Sequence, residues 1–180
     1  TIETERTLIR PFESPDADAA HVWFSDPEVM RFIPAGGDAT LDDTRRRIAG
    51  YMAHKEEFGF SKGIVIDRAS GEPIGDSGLY HLPDGGRVEL GFRFKREFWG
   101  RGYGTDVMNV ILRYAFTEVN LKRVTLTVFE YNPRAIRSYE KAGFRHEGRV
   151  RQALHKEGAR WDILFMGILR EEWLERNTKR

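Results

Sequence analysis

The segment Trp99-Gly100-Arg101-Gly102-Tyr103-Gly104-Thr105-Asp106 places three glycines at alternate positions between two runs of different periodicity. Before it, Val88-Glu89-Leu90-Gly91-Phe92-Arg93-Phe94 reads as a strand; after it, Val107 to Phe116 repeats apolar residues at helical spacing. A strand entering a glycine-rich turn that opens a helix is a construction for holding phosphate. Glycine lets the backbone approach a ligand closely, and the first N–H groups of a helix lack intrahelical partners. The helix dipole adds partial positive charge at that end. The turn predicts an anionic, phosphate-bearing ligand.

Two familiar phosphate signatures do not fit. Thr105 stands where a dinucleotide-binding Gly-x-Gly-x-x-Gly needs its third glycine. No Gly-Lys-Ser/Thr follows, so this is not a Walker loop. Alone, the segment reads equally well as a tight turn made permissive by glycine.

The 180 residues are enough for a real core, and we read 1–180 as a single domain. A content of 40% hydrophobic and 12% aromatic residues suits a compact soluble fold. The 29 basic and 28 acidic side chains are interspersed, leaving a net charge of +1. That pattern offers no basic stripe for nucleic acid and no polybasic arm for a membrane. Apolar runs such as Ile163 to Met166 are too short to span a bilayer. The charged opening Thr1-Ile2-Glu3-Thr4-Glu5 has no signal-peptide core, and a cytoplasmic protein is expected. With no cysteine, disulfides, thiolate metal sites and a cysteine nucleophile are excluded.

Thr7 to Phe12 alternates as a first strand. Ser14 with Pro15 starts a helix to about Phe24, and Asp26-Pro27 begins a short turn through Phe32. Asp42 to Phe58 is an amphipathic helix facing inward through Ile48, Tyr51 and Met52. Strands follow at Gly63–Asp67, Pro73–Leu82 and Arg87–Lys95, then a helix from Gly102 to Val119 and a strand from Arg123 to Glu130. Strand, helix, strand at this spacing implies a parallel pair. Asn132-Pro133 starts a helix that Gly143 ends. Strands near 144–153 and 160–169 and a terminal helix from Arg170 complete one α/β unit.

The second informative segment is Asn132-Pro133-Arg134-Ala135-Ile136-Arg137-Ser138-Tyr139-Glu140-Lys141-Ala142-Gly143-Phe144, whose helical spacing turns Asn132 and Tyr139 the same way. In this order and separation, the two segments resemble the GNAT superfamily of acetyl-CoA-dependent N-acetyltransferases. The likeness covers nearly the whole chain. Glu5-Arg6-Thr7-Leu8-Ile9-Arg10-Pro11-Phe12, Asp26-Pro27-Glu28-Val29-Met30-Arg31-Phe32, the Trp99 segment and Trp161-Asp162-Ile163-Leu164 are similar to its Rim-type branch, which includes acetyltransferases of ribosomal-protein N-termini. The superfamily's usual Arg or Gln at the start of the pyrophosphate motif is Trp99 here, as is common in that branch.

The resemblance implies an α/β fold with a mixed central sheet, flanked by helices and splayed between the fourth and fifth strands. The pantetheine arm of acetyl-CoA would enter that gap along Phe92, Arg93 and Phe94. Pyrophosphate would sit on the turn formed by Gly100, Arg101, Gly102, Tyr103, Gly104 and Thr105, with Asn132, Ser138 and Tyr139 contributing from the second segment. It further implies acetyl transfer to a primary amine by direct attack, with no metal. A protein N-terminal α-amine is the first acceptor reading; a small amine such as a polyamine or aminoglycoside is the alternative. A non-catalytic acyl-CoA-binding module is the rival from another class. No nucleic-acid or membrane partner is expected, and a homodimer is compatible with this reading.

Such a transfer needs a neutral amine, a donor to the developing oxyanion and a proton for the departing thiolate. The N–H of Phe92 is our oxyanion donor. Tyr139 matches the family's usual general acid, and a phenol near its reference pKa of about 10 stays protonated at neutral pH. Asn132 would hold cofactor or a water nearby. Glu89, on the cofactor strand, is the first candidate for deprotonating the amine; an ion pair with Arg87 or Arg123 is its structural alternative. His81 and His155 are alternative bases. Arg101 is favoured among the cations that could meet phosphate. Gly75-Asp76-Ser77-Gly78 looks like a serine-protease tetrad but lies inside a strand pattern, and His54 with Glu57 forms no zinc motif. Trp23, Phe24, Phe32, Phe58 and Phe60 read as core more readily than as an acceptor cleft.

Overall fold

A computed structural model describes residues 1–33 and 35–178. Among them, eight strands form one sheet in the order β1-β2-β3-β4-β5-β6-β8-β7. These are β1 (Ile2–Glu3), β2 (Thr7–Pro11), β3 (Lys62–Asp67), β4 (Pro73–His81), β5 (Val88–Phe94), β6 (Arg123–Phe129), β7 (Arg145–Lys156) and β8 (Ala159–Leu169). Neighbours run antiparallel except β5 and β6, which are parallel.

The parallel pair meets at one bridge, Glu89 opposite Thr125. On its other side β5 stays in register with β4 from Val88 to Phe94. Beyond Leu90, then, the groups of β5 that face β6 have no ladder partner. This is the splay the resemblance implies, between the same two strands; the short β1 makes them fifth and sixth in chain order where the sequence reading counts them fourth and fifth. The sequence reading has no strand at Ile2–Glu3. Two residues carry no alternation to read, and only their pairing with Leu8 and Ile9 of β2 makes them a strand.

Helices α1 (Ala17–Phe24) and α2 (Leu41–Phe58) cover one face of the sheet; α3 (Tyr103–Thr117), α4 (Pro133–Ala142) and α5 (Arg170–Thr178) cover the other. Each face has its own apolar cluster. Trp23, Phe24, Ile48, Tyr51 and Ile64 pack under α1 and α2. Val107, Met108, Ile111 and Phe116 of α3 pack on Leu79, Leu90, Leu126 and Met166. α2 is bounded by a capping box between Thr40 and Asp43 and by Gly59 at φ +80°. The entry to α1 departs from expectation. A 3-10 turn, Ser14–Asp16, comes first, and the Asp16 carboxylate, paired with Arg10, accepts the Glu13 N–H in place of a Ser14 cap.

The alternation of β5 divides its side chains between the two faces. Val88, Leu90, Phe92 and Phe94 turn towards α3, whereas Glu89, Gly91 and Arg93 turn towards α1 and α2.

Candidate active site

The glycine turn is shaped by two left-handed residues, Gly100 at φ +72° and Gly102 at φ +85°. A side chain at either would be strained. The first α-helical bond here runs from the Asp106 N–H to the Gly102 carbonyl. The amides of Tyr103, Gly104 and Thr105 therefore have no intrahelical acceptor.

Side chains distant in sequence brace the turn from behind. The Arg6 Nε donates to Asp106 at 2.9 Å, and its Nη1 donates to the Arg101 carbonyl at 2.8 Å. The same guanidinium lies 4.4 Å over the Tyr103 ring, whose hydroxyl donates to Asp67 at 2.9 Å. Trp99, half in solvent, donates its indole N–H to the Phe94 carbonyl at 2.8 Å and so ties the turn to the end of β5. Sequence reading missed Arg6 and Asp67 as bracing groups, because nothing local marks contacts made 100 and 36 residues away.

Arg101 remains exposed, above the rings of Phe98 and Tyr103. From the turn a groove of about 820 Å³ runs between α3, α4 and α5. Thr105, Ser138, Lys141 and Arg113 line it together with Glu3, Glu5 and Asp106, giving a polar wall of mixed charge in line with the turn.

The second segment folds as its spacing predicts. Asn132 caps α4, its Oδ1 accepting the Ala135 N–H at 3.2 Å, and Gly143 closes the helix at φ +106°. The cap uses the Asn132 side-chain oxygen, leaving the amide nitrogen for any ligand role. Tyr139 is half-buried, its ring edge-on to Phe92 and Phe144 at 6.1 and 5.9 Å between centroids. Burial pushes its phenol up to about 12, with the negative charge of Glu89 adding to the shift. Tyr139 and Glu89 thus act on one another electrostatically, although they belong to opposite faces of the sheet. Each borders the gap where β5 and β6 part.

Neither ion pair considered for Glu89 forms. Arg87 pairs with Asp84, and Arg123 pairs with Glu147. The nearest hydrogen-bond partner of the Glu89 carboxylate is the Thr127 hydroxyl at 3.5 Å. The histidines are placed less well for base chemistry. The His81 ring stacks on Phe58 at 4.4 Å, and His155 is exposed near the β7–β8 turn. His54 is buried between the Phe60 carbonyl and the His81 N–H, which fixes it as a neutral structural ring.

The Arg93 side chain is committed elsewhere. It pairs with Asp76 at 2.6 Å and donates to the Tyr51 hydroxyl at 3.0 Å, and Trp23 donates to the same Asp76 at 2.9 Å. The Arg93 main chain is turned to Asp76 of β4, in step with the bond from the Lys95 N–H to the Ile74 carbonyl, so of the three strand residues only Phe92 and Phe94 turn their backbone to the gap. Trp23, Phe24 and Phe60 are core, so they do not form an acceptor cleft. Phe32 instead joins Tyr131, 5.3 Å away, and Tyr131 packs on Trp161 at 4.3 Å.

The arrangement therefore offers an anion site at a helix N-terminus and unpaired strand backbone leading inward from it. A protonated phenol and an unpaired carboxylate border its inner end from opposite faces of the sheet. Among the described residues no group of His, Cys, Asp and Glu is arranged to hold a metal, and no helix is long and apolar enough to cross a membrane.

Comparison with known proteins gives a consistent picture. The chain matches the model of the acetyltransferase (GNAT) domain over residues 6–145. The uncharacterized N-acetyltransferase YnaD of Bacillus subtilis (strain 168) is 33% identical over 172 residues, covering 96% of this chain and 98% of that protein. The putative ribosomal N-acetyltransferase YdaF of the same organism is 30% identical over 137 residues, 76% of this chain and 70% of its own. An acetyltransferase (GNAT family) from Bacillus anthracis superposes with a TM-score of 0.82 at 30% identity, over 94% of this chain and 98% of that one. Spermidine N-acetyltransferase from Vibrio cholerae, solved in complex with CoA and spermine, superposes with a TM-score of 0.83 at 24% identity, over 95% and 99%. At that identity the likeness concerns the fold.

Proposed function

The chain belongs to the GNAT family and is an acetyl-CoA-dependent N-acetyltransferase, and from that premise we propose that it acetylates a protein N-terminal α-amine by direct attack, without a covalent enzyme intermediate. The observation that carries the catalytic reading is the placement of Tyr139, edge-on to Phe92, and of Glu89, at the lone β5–β6 bridge, on the two sides of the gap. Likeness to the putative ribosomal N-acetyltransferase over 76% of the chain supports the acceptor class. A polyamine is a polycation and calls for an acidic groove; on this face the unpaired carboxylate beside the gap is that of Glu89, and the Lys62 ammonium beside Gly91 adds a positive charge that disfavours a polycation.

Bound acetyl-CoA supplies the activated acyl group. The chain's own part begins at the turn, where the amides of Arg101 to Thr105 hold pyrophosphate. The main chain of β5 beyond Leu90 pairs with the arm, and the Phe92 N–H donates to the acyl oxygen as negative charge develops there. From the α1–α2 face, Glu89 takes the proton of the attacking amine, directly or through a water. From the α4 side, the Tyr139 hydroxyl donates to the departing sulfur. The two steps reinforce each other. Once Glu89 is protonated it no longer raises the Tyr139 phenol, which becomes a stronger acid when its proton is needed.

The test is release of CoA thiol, followed with a thiol-reactive dye, across peptides with free N-termini and a panel of small amines. Acetylation of N-terminal peptides above the amine panel is the expected result. Efficient turnover of polyamines alone would reverse the acceptor assignment. Release at the acceptor-free rate for every amine would remove the catalytic reading.

A further inference from the structure

Lys62 opens β3, and its side chain crosses the face of the sheet that lies under α1 and α2. The register puts Lys62 opposite Gly78 and Gly78 opposite Gly91, so the two strands it crosses offer only backbone beneath it. Its ammonium comes to rest beside Gly91; a Cβ there would lie 2.9 Å from Nζ and 3.4 Å from Cε. Any side chain at position 91 would displace it.

Lys62 is half-buried, and among the described residues its ammonium enters no ion pair and no hydrogen bond. The acids that could balance it are taken. Asp76 is held by Arg93 and Trp23, and Asp38 by Arg47 and Thr44. Glu89, two residues along β5 on the same face, has only the Thr127 hydroxyl near it. The charge is felt locally. Burial pushes the Tyr51 phenol up, but the Arg93 and Lys62 cations outweigh it and hold the phenol below its ordinary value.

A half-buried cation without a counter-charge carries a desolvation cost, and an anion arriving beside it would offset that cost. This one lies beside Phe92, the proposed oxyanion donor, and on the side from which an amine reaches Glu89. We propose that Lys62 determines acceptor specificity by receiving a carboxylate of an acceptor whose amine faces Glu89. Positions 89 and 91 are about 7 Å apart along the strand. An amine and a carboxylate a few bonds apart span that distance once each is hydrogen-bonded. The carboxylate has two sources: the acid group of a free amino acid, or an acidic side chain close to a peptide N-terminus. This inference rests on the acetyltransferase reading above and deepens it.

The experiment compares matched acceptors with wild type, Lys62→Met and Lys62→Arg. L-alanine is set against L-alaninamide, a peptide amide beginning with aspartate against one beginning with asparagine, and spermidine serves as the polycation. Acetyl-CoA titration of each variant certifies the fold. The expected result is a preference of roughly tenfold or more for the carboxylate member of one pair, carried by KM. Lys62→Met brings that ratio close to one, and Lys62→Arg keeps part of it. The pair that shows the ratio identifies the carboxylate's source.

A wild-type ratio near one in both pairs overturns the proposal, and so does preference for spermidine. An equal fall in kcat on every acceptor with KM unchanged also overturns it, assigning Lys62 to the oxyanion. Turnover of the amides without carboxylate preference removes the role of Lys62 alone and leaves the acetyltransferase reading standing. If no acceptor turns over, calorimetry of N-acetyl-L-alanine with the CoA-bound protein decides: a Kd that Lys62→Met does not weaken overturns the proposal.

Discussion

Replacing Asp76 by Asn should destabilise the protein far more than the loss of one hydrogen bond. Asp76 is wholly buried and Arg93 only 8% exposed. The carboxylate accepts from Arg93 at 2.6 and 3.0 Å and from the Trp23 indole at 2.9 Å, while Arg93 also lies 4.8 Å over the Phe24 ring. Asn keeps the shape and can still accept from Trp23, but it leaves a guanidinium buried without its counter-charge. Breaking such a pair from one side costs about 3–5 kcal/mol. For a chain of this size each kcal/mol moves Tm by about 2–4 °C, so the fall should be roughly 6–20 °C. Thermal and urea unfolding at pH 7 measure it. Because removing both partners is far cheaper than removing one, Asp76→Asn with Arg93→Met should recover much of the loss. A single-variant loss below about 1 kcal/mol, or a double variant as unstable as the two singles added, would refute the argument.

Tyr139→Phe keeps the ring against Phe92 and Phe144, so acetyl-CoA should still bind while turnover falls by roughly tenfold to a thousandfold; unchanged turnover moves the acid role elsewhere. The same variant has a stability signature. A phenol raised from about 10 to about 12 contributes fully below pH 10 and is lost as pH rises towards 12. Wild type should therefore lose about 2–3 kcal/mol more than the variant over that window, and parallel pH–stability curves would contradict the burial argument. Glu89→Gln should slow acetylation strongly near pH 7 and less near pH 9, where more acceptor is already neutral; equal losses at both values remove Glu89 as base. Gly102→Asp places a strained residue at φ +85° within 3.0 Å of Arg6 and sets a carboxylate where phosphate is expected. It should abolish the rise in Tm with acetyl-CoA, and a normal rise would refute the turn as the phosphate site.

Much of this architecture was legible in the sequence because it is local. The cap at Asn132, the stop at Gly143, the periodicity of Leu41–Phe58 and the strand before Trp99 are written within a few residues of where they act. The common orientation of Asn132 and Tyr139 followed from helical spacing alone. What escaped is non-local. Arg6 finds Asp106 a hundred positions on, and Lys62 reaches Gly91 only through the β3–β4–β5 register. Alternation put Arg93 on a strand without revealing that Asp76, Tyr51 and Trp23 would enclose its side chain. Trp99 stood out as a departure from a motif; its reason, the latch on the Phe94 carbonyl, depends on how the chain turns back after β5.

The lone bridge between Glu89 and Thr125 also bears on how long the protein survives. On either side of it stand two antiparallel half-sheets, β1 to β5 and β6 with β8 and β7, each continuous in itself. Prising them apart breaks apolar packing against α3 but almost no ladder hydrogen bonds. That seam is therefore the cheapest line for partial opening. A molecule seated across both halves opposes the opening by mass action, in proportion to its concentration. Cellular supply of the acyl donor would then set the protein's resistance to proteases as well as its rate of work.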